Sequence, residues 1–339
     1  MSLRTHALAG MLLLSSIGAV AAADAADAPR KAPAPVVDVP FFSVNDNRLS
    51  YAYLPTATNP GGANAGRIEK HVFAFTHFDA WAYGTNFINL SYLRSNDLDP
   101  ANPCPVVATG CTGRSDFFGQ VRSTFGFNQI FDTRAFAFGA LNNVSFEVGA
   151  DLGTSNSYFA SATNGFLAGV QFAFTLPYKG YINVAPVFFE AIDHNGFQQC
   201  GLVAPPCLTD GATRTDPTWR IETNYNMPLG FLPESLPLSI SGYLTVTGPK
   251  GTQAAPLTVD RPSNAPTKVE ILTEPIRLTL DASRMAWGPK YTHFLDVWVA
   301  YRYWQNKFGY DHVLSGSCTG RFSGSCTESS LYTGVTVKF

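Results

Sequence analysis

The segment Val144-Ser-Phe-Glu-Val-Gly-Ala-Asp-Leu152 alternates between two kinds of residue. Its even-numbered positions are all apolar, and its odd-numbered positions are polar or glycine. Successive side chains of a β-strand point to opposite faces, so the pattern predicts a strand with one apolar and one polar face.

Two later segments repeat this alternation. Between Trp219 and Asn226 the apolar or aromatic residues occupy odd positions, and charged or amide residues occupy even ones. Between Leu295 and Trp304 the odd positions are again apolar or tyrosine, whereas Asp296, Trp298 and Arg302 share the other face. Half-buried strands therefore occur in both halves of the chain.

Strand-like segments recur along the whole sequence, and no long helical period competes with them. Each has close to the ten or so residues that a tilted membrane-spanning strand needs. We place twelve, an even number, at 47–54, 69–82, 85–95, 115–126, 143–155, 165–176, 181–193, 218–227, 238–247, 268–283, 292–306 and 329–339.

The connections between these segments distinguish a membrane barrel from a soluble β-sandwich, since both architectures bury one strand face. Most odd-numbered links are long and polar, whereas even-numbered links include the tight Tyr83-Gly84 and the short run 177–180. The exception is 127–142, which is long for a turn. Outer-membrane barrels place long loops on one side and short turns on the other. We therefore predict an all-β fold, a transmembrane antiparallel up-and-down β-barrel of about twelve strands.

Six cysteines form three close pairs, and all of them fall in the odd-numbered links. In an exported protein this pattern indicates local disulfides. Zinc is the competing interpretation, but no pair has the usual short ligand spacing or a nearby pair of histidines. We predict the disulfides Cys104–Cys111, Cys200–Cys207 and Cys318–Cys326, with no metal and no cofactor.

The two ends of the chain carry targeting signals. A basic start, an apolar run from Leu8 to Val20 and small residues before Asp24 predict a signal peptide over 1–23. An Ala- and Pro-rich flexible leader follows over 24–46, and the barrel over 47–339. The last strand has Gly334, Val337 and a terminal Phe339, an ending that resembles the signal read by the barrel assembly machinery. The bacterial outer membrane is the expected location.

Composition excludes other classes of protein. Beyond the signal, no apolar run is long enough for a transmembrane helix, although 45% of the residues are hydrophobic. A net charge of -2 gives no reason to expect a nucleic-acid polymer as partner. We expect membrane lipid, the assembly machinery and a small solute as partners, and a monomer.

The segments His77–Arg94 and Asp296–Asn306, together with the Phe-terminated last strand, resemble the Tsx-type nucleoside-specific channel family. The resemblance implies a monomeric twelve-stranded barrel with a narrow pore lined by aromatic and ionisable side chains. It implies nucleosides as solutes, although the cysteine-bridged loops depart from the family pattern.

If the apolar faces contact lipid, the opposite faces line the interior. On the second strand we expect the odd-numbered residues from His71 to Trp81 to point inward and the even-numbered residues outward. Charged side chains are costly on a lipid-facing surface, which places them inside on the other strands. The candidate pore-lining residues are Phe73, Phe75, His77, Asp79, Trp81, Arg122, Glu147, Asp151, Arg220, Glu222, Asp296, Trp298, Arg302 and Trp304.

These residues support a non-enzymatic channel for small solutes, with nucleosides favoured because a base stacks on aromatic rings. The same charges could instead brace the wall through ion pairs, and the aromatics could be packing or an interfacial girdle. A partner-binding barrel with an occluded lumen is the first alternative. An outer-membrane hydrolase that uses His77 and Asp79 is the second, although no nucleophile motif accompanies that pair.

Deleting Phe339 should impair assembly, because the terminal aromatic residue completes the proposed targeting signal. The fraction of the protein that reaches the outer membrane, measured by membrane fractionation, should fall relative to the full-length chain. Normal assembly of the truncated protein would contradict this interpretation of the last strand.

Overall fold

The computed structural model describes residues 41–101, 111–156, 162–194, 212–251 and 267–339. The predicted signal peptide lies outside these residues and stays a prediction, as does the leader up to residue 40. The leader was expected to reach residue 46, but the first strand already begins at Phe42.

Thirteen strands make up the described fold, and twelve of them are long. They are β1 (Phe42–Ala57), β2 (Ile68–Trp81), β3 (Gly84–Ser95), β4 (Ser115–Gly126), β5 (Leu141–Ser155), β6 (Thr163–Leu176), β7 (Gly180–His194), β8 (Ala212–Arg214), β9 (Thr218–Pro228), β10 (Leu238–Thr247), β11 (Glu270–Asp281), β12 (Leu295–Gln305) and β13 (Thr327–Lys338). β8 is a three-residue strand that pairs only with the end of β7.

Within the residues that the structure describes, helical structure is confined to short pieces. The helices are α1 (Phe127–Ile130) and α2 (Ala282–Trp287), and single 3₁₀ turns occupy Pro177–Lys179, Pro289–Tyr291, Lys307–Gly309 and Gly320–Phe322. α1 accounts for the long link after β4. In the described part of the chain, no helix has the length and apolar character needed to cross a membrane.

The sheet closes on itself through antiparallel pairs. Each long strand pairs with its sequence neighbours, with β9 following β7, and β1 pairs with β13, for example Arg48 with Lys338. The predicted twelve-stranded antiparallel barrel is thereby confirmed. We call the end that carries the long connections the loop end, and the end with the 82–83 turn between β2 and β3 the turn end.

The strand register assigns every residue to the outer or the inner face, because residues directly opposite each other share a face. Phe73 lies opposite Tyr51 and Tyr92, and Tyr92 lies opposite Phe117. All four of these aromatic side chains are exposed. The corresponding inner row runs through Thr76, Asn89, Gln120 and Asp151. The barrel therefore has an apolar outer wall and a polar interior.

The face predicted for β2 was wrong. Lys70, whose ammonium is buried against Asp116, points into the lumen, so the even-numbered residues of β2 face inward. The five predicted pore-lining residues of this strand, Phe73, Phe75, His77, Asp79 and Trp81, lie on the outer face. Both faces of β2 carry aromatic residues, and its outer face also carries titratable residues. The sequence pattern of β2 therefore could not show which face points into the lumen.

Aromatic side chains ring the turn end. Trp81 stacks on Phe41 with ring centroids 6.0 Å apart and meets Tyr83 at 5.4 Å. Further along the same end, in the connection between β11 and β12, Trp287 meets Tyr291 at 5.9 Å. Rings of this kind mark the membrane–water interface of outer-membrane barrels. Trp81 therefore fits the alternative role given for these aromatic residues in the sequence analysis, which is membership of an interfacial girdle.

The predicted disulfide Cys318–Cys326 is present, and both cysteines are buried at the loop end between β12 and β13. Cys111 is also disulfide-bonded. Cys104, Cys200 and Cys207 lie outside the described residues, so the pairs Cys104–Cys111 and Cys200–Cys207 stay predictions.

Gly334 of the terminal strand has a packing role in the barrel. It lies opposite Trp298, whose indole ring is buried over it on the lumen face. A Cβ atom at this position would meet the Trp298 ring and would lie only 2.5 Å from the backbone oxygen of Tyr51. The glycine therefore creates the space that the tryptophan fills.

Replacing Gly334 with Ala should destabilise the folded barrel by about 1–3 kcal/mol, the usual cost of overpacking a filled site. Thermal unfolding of the purified protein in detergent, followed by circular dichroism, measures the effect. Gly119→Ala is the matched control, because its Cβ would come no closer than 3.4 Å to a neighbouring heavy atom. Equal unfolding midpoints for the two variants would contradict the packing argument.

Candidate functional site: a charged lumen

Five charged residues meet inside the barrel, and we call them the central cluster: Arg122, Glu147, Asp151, Arg220 and Glu222. Arg122 donates two hydrogen bonds of 2.8 Å to the two carboxylate oxygens of Glu222. It donates a third, also 2.8 Å, to Asp151, which accepts another of 2.5 Å from Arg220. All five residues lie on the inner face of the barrel, which is the face that the sequence assigned to them.

This cluster crosses the interior. Arg122 belongs to β4 and Glu222 to β9, and three strands of the wall separate them. Their paired hydrogen bonds therefore run across the lumen and not along one strand pair. The fork of the guanidinium matches both carboxylate oxygens, which makes this the strongest type of ion pair available to side chains. The lumen is narrowed at this level by side chains alone.

The charges of the central cluster do not balance. Two guanidinium groups face three carboxylates, and Glu147 is the least well paired, with Arg122 at 3.8 Å. Its carboxylate accepts a hydrogen bond of 3.0 Å from Gln171. Arg220 also stacks over the ring of Phe189 at 3.4 Å from its centroid. The cluster is thus held from several sides of the wall.

A second group of lumen side chains lines the opposite wall. Arg277 donates a hydrogen bond of 2.6 Å to Glu274, which also accepts one from Tyr332. Arg277 covers the Trp298 ring at 3.9 Å. Trp298 and Trp304 point inward, as predicted, but they are only 5% and 8% exposed. The Trp298 ring, which Arg277 covers, offers no open face to a passing solute.

The turn end holds the described group that most resembles a metal site: Asp281, His293 and Asp296. Their polar atoms already serve the fold. Asp281 accepts hydrogen bonds of 2.8 Å from the backbone amides of Arg284 and His293, which caps α2. Asp296 accepts one of 3.0 Å from His293, and this bond raises the pKa of the imidazole while burial opposes the rise. We assign the group a structural role.

Several lumen residues at the loop end escaped sequence reasoning. Lys307 donates hydrogen bonds of 2.5 Å to Glu328 and 2.7 Å to the backbone oxygen of Thr58. Arg302, which was predicted to face inward, lies 3.3 Å from the same Glu328. Lys70 and Arg114 share Asp116 in the same way. Lys307 and Arg114 lie just outside strands, where alternation does not apply.

A polar cluster lies on the outer face near the turn end. His77 and Asp79 are hydrogen-bonded at 3.0 Å, Asn86 donates to Asp79 at 2.9 Å, and Ser123 donates to Asn86 at 2.7 Å. The Ser123 hydroxyl thus bonds to an amide and not to the histidine. A serine nucleophile would need His77 as its base, so this arrangement does not support the hydrolase alternative.

No family model matches this sequence, and no curated protein matches it. Solved structures are similar in shape at low identity. The NanC porin is 12% identical over 87% of this chain and 100% of its own, with a TM-score of 0.38. The translocator domain of the autotransporter NalP from Neisseria meningitidis is 10% identical over 88% and 89%, with a TM-score of 0.35. OmpF of Salmonella typhi, solved with daunomycin, is 10% identical over 87% and 97%, with a TM-score of 0.32. At these values no function carries over.

The fold and the lumen by themselves define the class of protein. A closed twelve-stranded antiparallel barrel, an apolar outer wall, an aromatic ring at one end and charges turned inward are the features of a bacterial outer-membrane β-barrel. The outer membrane is accordingly its location.

Removing the guanidinium of Arg122 should destabilise the barrel, because Glu222 and Asp151 would be left buried without their main partner. Arg122→Ala should cost about 3–5 kcal/mol, the range measured when one member of a buried ion pair is deleted. Thermal unfolding in detergent measures the change.

The double variant Arg122→Ala/Glu222→Ala tests whether the two residues act as a pair. It should lose clearly less stability than the sum of the two single variants. Additive losses would show that the bond across the lumen does not couple the two walls.

Proposed function

We propose that this barrel is a channel for small polar solutes. The observation that carries the proposal is the arrangement of the lumen, in which polar spaces lie on both sides of the central cluster. Toward the turn end, Tyr181 and Asn224 are exposed within the interior, and the Asn183 amide bonds to Asn224 at 3.1 Å. Toward the loop end, an open pocket lies beneath the loops. A constriction between two wet spaces is the arrangement expected of a selective channel.

Nucleosides are the solutes that the sequence resemblance favours, and we propose them as the first to test. Three of the aromatic residues that were expected to stack on the base cannot do so, because Phe73, Phe75 and Trp81 face outward. Other rings face the lumen: Phe78 lies opposite Phe87 in the register, and Phe87 lies opposite Arg122. These two rings lie near Arg122 of the central cluster, and Tyr181 adds a third ring toward the turn end. Stacking on such rings contributes about 1–3 kcal/mol per base.

An occluded barrel is the second candidate, and one observation favours it. The double hydrogen bond between Arg122 and Glu222 crosses the lumen. If that bond never opens, the barrel serves as a membrane anchor for its loops. Monomeric assembly through the barrel assembly machinery is part of either proposal.

Conductance in planar bilayers separates the two candidates. The purified protein should conduct potassium chloride, and uridine at millimolar concentration should reduce the current. Phe87→Leu should weaken the effect of uridine several-fold, because it replaces the flat ring in the lumen. Phe73→Leu is the matched control on the outer face and should respond to uridine as the unaltered protein does.

Each failure has a different meaning. Current that ignores uridine but responds to another small solute would keep the channel and remove nucleosides as its substrates. Absence of any current from correctly folded protein would remove the channel and favour the occluded barrel.

A further inference from the structure

A pocket at the loop end has a composition that neither the fold nor the channel proposal requires. It lies between the β1–β2–β4 wall and the β12–β13 wall and is partly open to solvent. Four cationic side chains line it, namely Lys70, Arg114, Arg302 and Lys307. Only two carboxylates, Asp116 and Glu328, do so. We call it the loop-end pocket.

The two carboxylates are each shared by two cations. Asp116 lies 2.8 Å from Lys70 and 2.9 Å from Arg114. Arg114 has a further carboxylate behind it, since Asp99 lies 3.6 Å away. On that side of the pocket the charges are therefore compensated.

On the β12–β13 side of the pocket, one lining carboxylate serves two cations. Glu328 lies 2.5 Å from Lys307 and 3.3 Å from Arg302. The nearby carboxylates have other partners: Glu274 pairs with Arg277 at 2.6 Å, and Glu270 accepts hydrogen bonds from the Trp304 indole at 2.7 Å and from the Phe308 backbone amide at 2.9 Å. Among the described residues, Arg302 and Lys307 therefore share a single ion-pair partner.

Among the described residues, the buried Nε atom of Arg302 has no hydrogen-bond acceptor, because Glu328 is close but poorly aligned. A buried N–H group that is left without an acceptor is costly. A carboxylate or phosphate oxygen could accept from it in the usual forked geometry.

Aromatic rings lie next to these cations. Trp304 and Phe308 meet with their ring centroids 5.2 Å apart, and both line the pocket. The Lys307 ammonium lies 4.6 Å from the centroid of the Trp304 ring. Phe118 lines the same pocket from β4. The pocket thus combines a positive group with flat apolar walls.

The ionisation of Lys307 is consistent with crowding of positive charge. Burial, aided by the nearby Arg302 and Lys70, lowers the pKa of this lysine to about 8, although Glu328 opposes the change. A bound anion would give Arg302 a further acceptor and would favour the charged form of Lys307.

We propose that the loop-end pocket binds the anionic group of a small solute that carries a flat ring, with Arg302 and Lys307 holding the anion and Trp304 and Phe308 contacting the ring. If the channel proposed above is correct, the pocket selects such solutes at its entrance. The binding itself does not depend on conduction.

Isothermal titration calorimetry on the full-length protein in detergent tests the site, with benzoate as the probe. Benzoate should bind at least tenfold more tightly than benzamide, which has the same ring and size but no charge. Arg302→Gln should weaken benzoate binding at least tenfold. This variant should fold, because Glu328 keeps Lys307 as its partner at 2.5 Å.

Arg48→Gln is the matched control. It neutralises a lumen arginine at the turn end, where Asp46 keeps Lys338 as a partner at 2.7 Å. Its affinity for benzoate should stay within twofold of the unaltered protein. Phenyl phosphate in a further arm shows whether a carboxylate or a phosphate group is preferred, and inorganic phosphate shows whether the ring contributes.

Equal binding of benzoate and benzamide, or unchanged binding by Arg302→Gln, would overturn the proposal. Inorganic phosphate binding as tightly as phenyl phosphate would overturn the role of Trp304 and Phe308. Benzoate binding to a protein that does not conduct would support the pocket and reject the channel, so the two proposals fail separately.

Discussion

Closure of the sheet is the constraint on which the rest of this structure depends. In hydrocarbon every backbone N–H and C=O group needs a partner, and a barrel meets that need only if its first and last strands pair. Here β1 pairs with β13 from Arg48–Lys338 to Tyr53–Thr333. Closure also links the faces of all the strands, since each register fixes which residues of the next strand face inward. One securely placed lumen residue therefore determines the orientation of its neighbours.

The interior follows from this constraint. Charged residues that face inward meet in a space too narrow for each to keep a full hydration shell. They therefore form ion pairs with each other. Several carboxylates are shared between cations, for example Asp151 between Arg122 and Arg220, and Glu328 between Arg302 and Lys307. Such sharing connects distant strands, which stabilises the wall. It also leaves groups with incomplete partners, and those are the groups that a solute can use.

The outer wall shows how polar groups are tolerated near lipid. His77, Asp79, Asn86 and Ser123 bond to one another and lie next to the aromatic ring at the turn end. Asp79 is only 4% exposed, because the side chains around it cover it. The cost of polar groups on this face falls when each has a partner and when the interface is close. The cluster therefore needs no functional explanation.

Sequence alone determined the strand number, the side on which the long loops lie and the inner faces of β5, β9 and β12, because each of these strands has only one apolar face. It did not determine the inner face of β2, because aromatic residues occur at both odd and even positions of that strand. Only the buried Lys70–Asp116 pair shows that the even-numbered residues face inward. The loop-end pocket was also beyond sequence reasoning. Lys307 and Arg114 follow no strand period, and Lys307 shares Glu328 with Arg302 through the turn that follows β12. The alternation of residue types predicts the two faces of a single strand. The ion-pair partners of a lumen charge lie on other strands, and only the closed barrel brings those strands together.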